Sequence, residues 1–193
     1  MQLVLASGSP RRRHLLESAG VEFRAIAPEV DERRFPDEDP DSYVLRVAEA
    51  KARAVYEPGT VVVAADTAVV LRGRVLGKPA HPAEARAMLE HLSGAAHAVH
   101  TGVAVAGDVD GTMEIHKEVC VSVVRMLSLT GEEIAAYVAG GEPMDKAGAY
   151  ALQGKGAIFV ESVEGSPSNV VGLPLHVVAR LLRGFGIDLL SGP

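Results

Sequence analysis

Cysteine and aromatic residues are scarce in this 193-residue chain. It has one cysteine and no tryptophan, and aromatic residues make up 4% of it. A single cysteine excludes a disulfide framework and any zinc site built from several cysteines, so we expect the reducing cytoplasm as its compartment. Few aromatics and a formal net charge of −6 argue against a surface for nucleic acids or anionic membranes, since both need a basic face.

Long hydrophobic runs are also missing. The most apolar stretch, residues 61–71, is shorter than the roughly 20 residues that a membrane-spanning helix needs, and Asp66 interrupts it. No basic segment precedes the apolar start of the chain, so Gln2–Ala6 is expected to form a strand and not a signal peptide. With 48% hydrophobic and 23% charged residues, the composition is typical of a globular protein.

The hydrophobic pattern alternates between the periods of strands and helices. Strands are predicted at residues 2–6, 23–27, 60–65 and 157–163, hairpins at 68–76 and 97–127, and helices at 10–19, 40–57, 82–92, 130–140 and 174–185. Thr130 and Glu133 are predicted to form a capping box at the start of the helix 130–140. No repeat, low-complexity tract or linker interrupts the pattern. We therefore predict an α/β fold with a mixed sheet flanked by helices, as a single domain over residues 1–193.

A turn rich in hydroxyls and arginines follows the first strand. From Ser7 to Arg13, two serines, a glycine and a proline precede three arginines at the start of a helix. Hydroxyls, backbone N–H groups and guanidiniums at a helix N-terminus suit a polyphosphate, although a capped helix with solvated arginines explains them equally well. Arg12 favours the polyphosphate, because it precedes Leu15 and Leu16 by three and four residues and is expected to point inward with them.

Lys51 falls on the apolar face of the predicted helix 40–57. Burying an ammonium without a partner is costly, so its side chain is expected either to extend to solvent or to meet an anion. Extension to solvent is the simpler interpretation of this pattern. Arg46, Glu49 and Arg53 fall on the outer face of the helix and need no further explanation.

Asp66 is predicted at the carboxyl end of the apolar strand 60–65. Ligands bind α/β sheets beyond the carboxyl ends of strands, which makes this carboxylate a candidate functional residue; a turn or N-cap is the alternative. The pair Asp31 and Glu32 lies in a charged loop and by itself is typical of a surface. Together with Asp66 it would complete a site for Mg²⁺, which takes one or two carboxylates plus substrate phosphates.

The remaining polar signals are weaker. Lys78 and Lys155 lie on turns next to glycine and are more typical of a surface than of a phosphate site. His97, His100 and Cys120 lie in alternating strands, where core or surface packing is their expected role. The sequence has no P-loop, no Gly-x-Ser-x-Gly motif and no His-Glu-x-x-His motif, which argues against P-loop nucleotide hydrolases, serine hydrolases and that class of metalloprotease.

Taken in order, these segments resemble the Maf family of nucleoside triphosphate pyrophosphatases over essentially the whole chain. The matching segments are residues 5–12, 31–32, 49–52, 64–67, 77–79, 100–102, 145–150 with 153–154, and 165–174. Each is weak alone, but eight in register are highly specific. Ala68, where the family pattern has valine, is a small departure that does not alter the resemblance.

The resemblance implies an elongated structure with two lobes around a deep cleft, similar to the inosine triphosphate pyrophosphatases. It implies that Asp66 is the catalytic base and that Asp66 and Glu32 hold a divalent cation, Mg²⁺ or Mn²⁺. The residues that it implies for triphosphate binding are Ser7, Arg11, Arg12, Lys51 and Lys78.

The resemblance also bears on the substrate. The branch with threonine after the catalytic aspartate and glutamine in the later Gln-Gly motif hydrolyses dTTP and UTP, whereas the branch with glutamine and glutamate there is associated with 7-methyl-GTP. Thr67 and Gln153 place this chain with the dTTP/UTP branch, and modified pyrimidine nucleotides are further candidate substrates. Arg11, Thr67 and Gln153 are then the residues that set specificity.

The expected partner is therefore a small-molecule nucleoside triphosphate, with no nucleic acid and no membrane, and a homodimer is compatible with the resemblance. A non-catalytic nucleotide-binding regulator of septum formation is the alternative function. It would keep the cationic residues but would not need Asp66 and Glu32 together.

Overall fold

The computed structural model describes residues 1–190, and it combines one mixed β-sheet with helices. The strands are β1 (Gln2–Ala6), β2 (Arg24–Ile26), β3 (Thr60–Leu71), β4 (Arg74–Leu76), β5 (Ala96–Val109), β6 (Thr112–Met126) and β7 (Val160–Glu164). The helices are α1 (Pro10–Ser18), α2 (Pro40–Val55), α3 (Pro82–Leu92), α4 (Gly131–Ala139), α5 (Pro167–Val171) and α6 (Leu175–Arg183). The strand order is β2-β1-β3-β5-β6-β7, and β4 pairs with β3. The predicted α/β class with a mixed sheet is confirmed.

The chain divides into two compact units. The first comprises Met1–Asp66, Thr101–Cys120 and the described residues from Gly172 onward, and the second comprises Thr67–His100 and Val121–Val171. Strands β1 and β2 belong to the first unit and β4 and β7 to the second, while β3, β5 and β6 contribute residues to both. The last three residues of the predicted single domain lie outside the described part of the chain.

The first unit is built on parallel pairing of β1 with β2 and with β3. Because side chains alternate along a strand, Leu5 and Val63 belong to one buried cluster, together with α1 and α6 residues such as Leu16 and Val178. Val4, Ala6, Val62 and Ala64 belong to the opposite cluster, which includes Ala48 and Ala52 of α2. β3 is covered on both faces here, which explains its continuous apolar run.

Helix α2 approaches β5 closely at Gly102. A β-carbon built on Gly102 would lie 2.5 Å from the carbonyl carbon and oxygen of Val44. Only a residue without a side chain fits at this contact. Gly102 therefore sets the distance between the strand and the helix that carries Lys51.

The second unit has its own core. Val69 and Leu71 of β3 pack with Leu89 of α3, Ile134 of α4 and Phe159. Helix α4 begins with the predicted capping box, in which the Thr130 side chain and Glu133 exchange hydrogen bonds with each other's backbone N–H groups. Strands β4 and β7 pair antiparallel with β3 and β6, as the predicted hairpin at residues 68–76 requires for β4.

Two predictions of extent were wrong. β3 continues to Leu71, so Asp66 lies inside a 12-residue strand and not at its end. The apolar residues after Asp66 extend the strand because they pair with β4. The strand predicted at 157–163 begins only at Val160, since residues Gly154–Phe159 form a 3₁₀ helix. Across residues 1–190, no helix combines the length and the apolar character that crossing a membrane takes.

Candidate active site

Ser7 organises the turn between β1 and α1. The side chain is buried, and its Oγ accepts a hydrogen bond from the backbone N–H of Ser9 at 3.1 Å. Ser9 occupies the N-cap position of α1, but its own side chain makes no capping hydrogen bond. The Ser7 hydroxyl also lies 3.5 Å from Nη1 of Arg12. A hydroxyl and a guanidinium therefore meet where the strand ends.

Arg12 has the inward orientation predicted for it. Its Nε donates to the carbonyl oxygen of Gly172 at 2.7 Å. Burial lowers the pKa of Arg12 from its usual value, the negative charges of Asp66 and Glu32 raise it, and the positive charge of Arg11 lowers it further. The guanidinium remains charged nonetheless. Arg11 is half-buried, and Arg13 is exposed.

Lys51 lies between two carboxylates. Its Nζ is 2.7 Å from Oδ1 of Asp66 and 2.8 Å from Oε1 of Glu32. The side chains of Lys51 and Asp66 are 7% and 10% exposed, whereas that of Glu32 is 48% exposed. Residues from a helix, a strand and a loop, far apart in sequence, thus converge on one point in the first unit.

Of the two alternatives for Lys51, extension to solvent is wrong, and the structure shows contact with anions. The ammonium neither extends to solvent nor lacks a partner within the protein, because Asp66 and Glu32 supply its counter-charges. The acidic pair also separates. Asp31 binds the guanidinium of Arg33, which lowers the pKa of Asp31 to about 2, whereas Glu32 contacts the Lys51 ammonium.

The position of Asp66 relative to β1 explains its access to this point. The parallel register ends with Ala6 opposite Ala64, and Ser7 then leads into the turn before α1. Asp66 lies two residues beyond this last pair, so it stands past the carboxyl end of β1 although it is interior to β3. Ligand sites in α/β sheets form where a neighbouring strand ends.

The pair Glu32 and Asp66 has donor chemistry that fits a hard cation. Two carboxylate oxygens face one point that a positive charge already occupies, and Mg²⁺ binds through one or two carboxylates while it keeps waters and substrate oxygens. Among residues 1–190, no group of three or more His, Cys, Asp or Glu side chains is placed to hold a metal. Glu32 and Asp66 are the two carboxylates that contact the Lys51 ammonium at this point.

Three predicted site residues belong to the second unit. Thr67 is half-buried in β3, Lys78 is exposed after β4, and Gln153 is exposed where the Gly154–Phe159 3₁₀ helix begins. Glu142 supports the Gln153 turn, because its carboxylate accepts hydrogen bonds from the backbone N–H groups of Lys155 and Gly156 at 3.2 and 3.1 Å. The roles predicted for Thr67, Lys78 and Gln153 stay predictions.

Two residues of α2 that the sequence did not single out support these side chains. Tyr43 donates a hydrogen bond to the backbone oxygen of Glu32 at 3.0 Å. Arg46, which the helical pattern predicts on the outer face, binds the backbone oxygen of Arg33 in the same loop. Burial, with the charges of Asp66 and Glu32, raises the pKa of Tyr43 to about 12, so its hydroxyl remains a donor at neutral pH. Helical periodicity gives no signal for such contacts, since their partners lie in an irregular loop.

Comparison with known proteins agrees with the resemblance found in the sequence. The family model described as Maf-like protein matches residues 2–185. Three curated relatives carry the name dTTP/UTP pyrophosphatase. The protein of Anaeromyxobacter dehalogenans is 53% identical over 97% of this chain and 96% of its own. That of Symbiobacterium thermophilum is 50% identical over 99% and 97%, and that of Bacillus cereus is 46% identical over 97% of both.

A solved structure, that of the Staphylococcus aureus Ham1 protein, aligns with 96% of this chain and 100% of its own at 15% identity and a TM-score of 0.48. The family assignment rests on the sequence matches.

Proposed function

The chain belongs to the Maf-like protein family, and we propose that it hydrolyses dTTP and UTP to the nucleoside monophosphate and pyrophosphate. The relatives that match over nearly the full length carry this activity in their names. The convergence of Lys51, Asp66 and Glu32 on one point, with Arg12 in their field, carries the proposal. It supplies both the cations for a polyphosphate and the carboxylates for its hydrolysis.

Phosphate binding falls to the cationic side chains and to the turn after β1. Ser7, Arg11 and Arg12 present a hydroxyl and two guanidiniums at the start of α1, where backbone N–H groups favour an anion. Lys51 and Lys78 are the proposed ammonium contacts. These charges neutralise the negative charge that develops on the departing pyrophosphate, and they are in place before the reaction begins.

Asp66 and Glu32 are the proposed ligands of Mg²⁺ or Mn²⁺. When bound, such an ion supplies charge neutralisation at phosphate oxygens and acidifies water. Asp66 accepts the proton of the water that attacks the α-phosphorus, through direct contact or one intervening water. Lys51 holds the Asp66 carboxylate in place through the hydrogen bond that its ammonium donates to Oδ1.

Base selection is assigned to Arg11, Thr67 and Gln153. The amide of Gln153 offers both a donor and an acceptor, as the imide edge of uracil or thymine requires. A site that demands both hydrogen bonds rejects bases with the wrong pattern strongly. Modified pyrimidines that keep this edge, such as those altered at the ring carbons, are therefore expected to be substrates as well.

The experiment that tests the function is a panel of nucleoside triphosphates with Mg²⁺ or Mn²⁺, in which pyrophosphate release is measured. We expect kcat/KM to be highest for UTP and dTTP and to be lower by up to about 10⁴-fold for CTP and GTP, the discrimination that a site with specific hydrogen bonds to its substrate reaches. Release of orthophosphate in place of pyrophosphate, or a preference for GTP, contradicts the proposal.

Asp66→Asn is the decisive variant in this assay. Because general base catalysis contributes roughly 10²–10⁴-fold, we expect turnover to fall by about 10³-fold while the protein still folds. Asp31→Asn is the matched control, since Asp31 is exposed and paired with Arg33, and it should keep wild-type turnover. Equal turnover in both variants overturns the assignment of Asp66 as the base.

The homodimer and the cytoplasmic location belong to the same proposal. Family membership supports the former, and the single cysteine supports the latter. Sedimentation equilibrium of the purified protein measures the oligomeric state directly. A monomer at micromolar concentration contradicts the dimer and leaves the proposed activity intact.

A further inference from the structure

Glu32 lies in a segment without regular secondary structure. Residues 27–39 connect β2 to α2 and contain neither helix nor strand, and most of their side chains are exposed. An irregular exposed loop has many accessible conformations, and ordering it costs conformational entropy. Because Glu32 contacts Lys51 from this loop, other contacts must hold the loop in a fixed position against α2.

Arg46 of α2 makes the strongest contacts with the loop. Its Nε and Nη2 donate to the two carboxylate oxygens of Glu38 at 2.7 and 2.9 Å, and Nη2 also donates to the backbone oxygen of Arg33 at 2.9 Å. The guanidinium lies over the ring of Phe35, 4.1 Å from its centroid. A two-point Arg–carboxylate pair fixes orientation as well as distance, so Arg46 reaches the loop at three places.

Glu38 also forms hydrogen bonds with other residues of the loop. Its Oε2 accepts a hydrogen bond from the backbone N–H of Phe35 at 3.0 Å, and the Arg34 guanidinium donates to the Glu38 backbone oxygen. The Glu38 side chain is only 10% exposed, and pairing with Arg46 lowers its pKa. The Glu38 carboxylate therefore links the loop to α2 and is not a solvated surface charge.

Helix α2 carries Lys51 and also binds the loop that carries Glu32, so it holds both sides of the contact between these two residues. It carries Lys51, whose ammonium Glu32 approaches, and it carries Tyr43 and Arg46, which bind the loop backbone at Glu32 and directly after it. The backbone oxygens bound are those of Glu32 itself and of Arg33, the next residue. We infer that Arg46 and Glu38 are positioning residues that hold the 31–38 loop against α2 so that the Glu32 carboxylate is placed to bind the divalent cation.

This inference rests on the proposed function, since it assumes that Glu32 is a metal ligand. Arg46 touches neither Asp66 nor the Lys51 ammonium in the contacts described, so its effect on the reaction passes through the loop. Loss of the Arg46–Glu38 pair should weaken metal binding and leave the role of Asp66 as the base unchanged. We therefore expect a higher metal requirement, meaning the Mg²⁺ concentration that gives half-maximal activity, with little change in kcat at saturating Mg²⁺.

The test compares Arg46→Gln, Glu38→Gln and the double variant with wild type. The Mg²⁺ concentration for half-maximal hydrolysis of UTP should rise about tenfold in each single variant, while kcat at saturating Mg²⁺ stays within about twofold. Because the two side chains act as one pair, the double variant should be no worse than either single one. Arg46→Lys keeps the charge but not the two-point geometry, and it should fall between wild type and Arg46→Gln.

Arg53→Gln is the matched control. Arg53 lies on the same helix, but its guanidinium is exposed and pairs with Glu49 at 2.8 Å, so its loss should leave the metal requirement unchanged. Hydrogen exchange provides a readout without substrate. The backbone amides of Phe35 and Glu38, which are hydrogen-bonded within the loop, should exchange faster in Arg46→Gln and at the wild-type rate in Arg53→Gln.

The outcomes separate the two claims. If wild type is active and Arg46→Gln keeps the wild-type metal requirement or the wild-type loop exchange, the positioning role is wrong and the proposed function stands. A rise in KM for UTP at saturating Mg²⁺ with an unchanged metal requirement also overturns it, since Arg46 would then act on the nucleotide. If wild type releases no pyrophosphate from any nucleotide, the proposed function fails, and the role of the loop in metal binding fails with it.

Discussion

Lys51, Asp66 and Glu32 form a cluster of three charges in which two members are nearly buried. Desolvation of buried charges costs energy that their mutual attraction offsets only when the geometry is good, and removal of one partner leaves an uncompensated charge. Glu32, about half exposed, is the member with the lower desolvation cost. The cluster therefore serves the site more than the stability of the protein, although its members depend on one another.

Lys51→Met should destabilise the protein because it leaves the Asp66 carboxylate buried without a cation. We expect the free energy of unfolding to fall by about 3 kcal/mol, the usual effect of breaking a buried pair from one side. Lys51→Met combined with Asp66→Asn should recover most of this loss, since the second change removes the unpaired charge. Urea unfolding of the three proteins measures it, and a double variant as unstable as Lys51→Met contradicts the account.

His97 is a further buried ionisable residue, and it lies in the second unit. It is 3% exposed, its Nε2 is 2.7 Å from the hydroxyl of Tyr150, and its Nδ1 is buried with no hydrogen-bond partner among the described residues. Burial lowers the pKa of His97 to about 4. The imidazole is therefore neutral in the folded protein throughout the physiological range.

The low pKa of His97 predicts a loss of stability in mild acid. The unfolded chain takes up this proton near pH 6.5 and the folded protein only near pH 4, so stability falls as the pH drops through that window, by about 3 kcal/mol at roughly 1.4 kcal/mol per pH unit. His97→Gln, which retains a polar group near Tyr150, should show a correspondingly smaller difference in unfolding free energy between pH 7 and pH 4.5. The exposed His14→Gln is the control, and an identical pH dependence in wild type and His97→Gln contradicts the assignment.

Helix α2 is the element on which the first unit's chemistry depends. It carries Lys51 towards β3 and binds the 31–38 loop through Tyr43 and Arg46. Its distance from the sheet is set at Gly102 of β5, where there is no room for a side chain. A small shift of this helix therefore moves an ammonium and a loop together.

Gly102→Ala should disturb this helix. The added methyl group would lie within 2.5 Å of the Val44 backbone, and relief of such overpacking costs about 1–3 kcal/mol. We expect stability to fall by about 2 kcal/mol and turnover by about tenfold, because α2 can relax only by moving Lys51. Gly131→Ala is the control, since its nearest neighbour would be an Arg86 side-chain nitrogen at 3.5 Å. Wild-type turnover in Gly102→Ala rules out this dependence on the position of α2.

Across the whole chain, the proposed roles divide between the two units. The proposed metal ligands Glu32 and Asp66 and most of the proposed phosphate-binding residues belong to the first unit, whereas Thr67, Lys78 and Gln153 belong to the second. The boundary runs between Asp66 and Thr67 in one strand. The proposed base and one of the proposed specificity residues are thus neighbours in sequence.

This division predicts that base selection and metal use can be altered separately. Gln153→Ala should lower the kcat/KM preference for UTP over CTP by at least about tenfold, because the hydrogen bonds that reject the wrong base are lost. The metal requirement should not change, since Glu32 and Asp66 are untouched. Lys155→Ala is the control, because it alters an exposed side chain in the same turn. An unchanged UTP preference in Gln153→Ala excludes it from base selection.

Most of the strands and helices, and the family, could be predicted from the sequence. Local patterns decide where strands and helices form, so Gln2–Ala6, Pro82–Leu92 and the capping box at Thr130 were predicted as they occur. The eight motifs pointed to the family that the comparisons show. Asp66 and Lys51 stand out in the sequence because each is a charged residue within an otherwise apolar pattern.

Which charged side chains contact one another depends on the packing of distant segments. Lys51 and Asp66 are 15 residues apart and Arg46 and Glu38 are eight apart, and no periodicity relates a helix to an irregular loop. The extension of β3 past Asp66 depended on β4, and the separation of Asp31 from Glu32 depended on Arg33. Counter-ions are chosen by proximity in space, and proximity between distant segments is fixed by packing and not by local sequence.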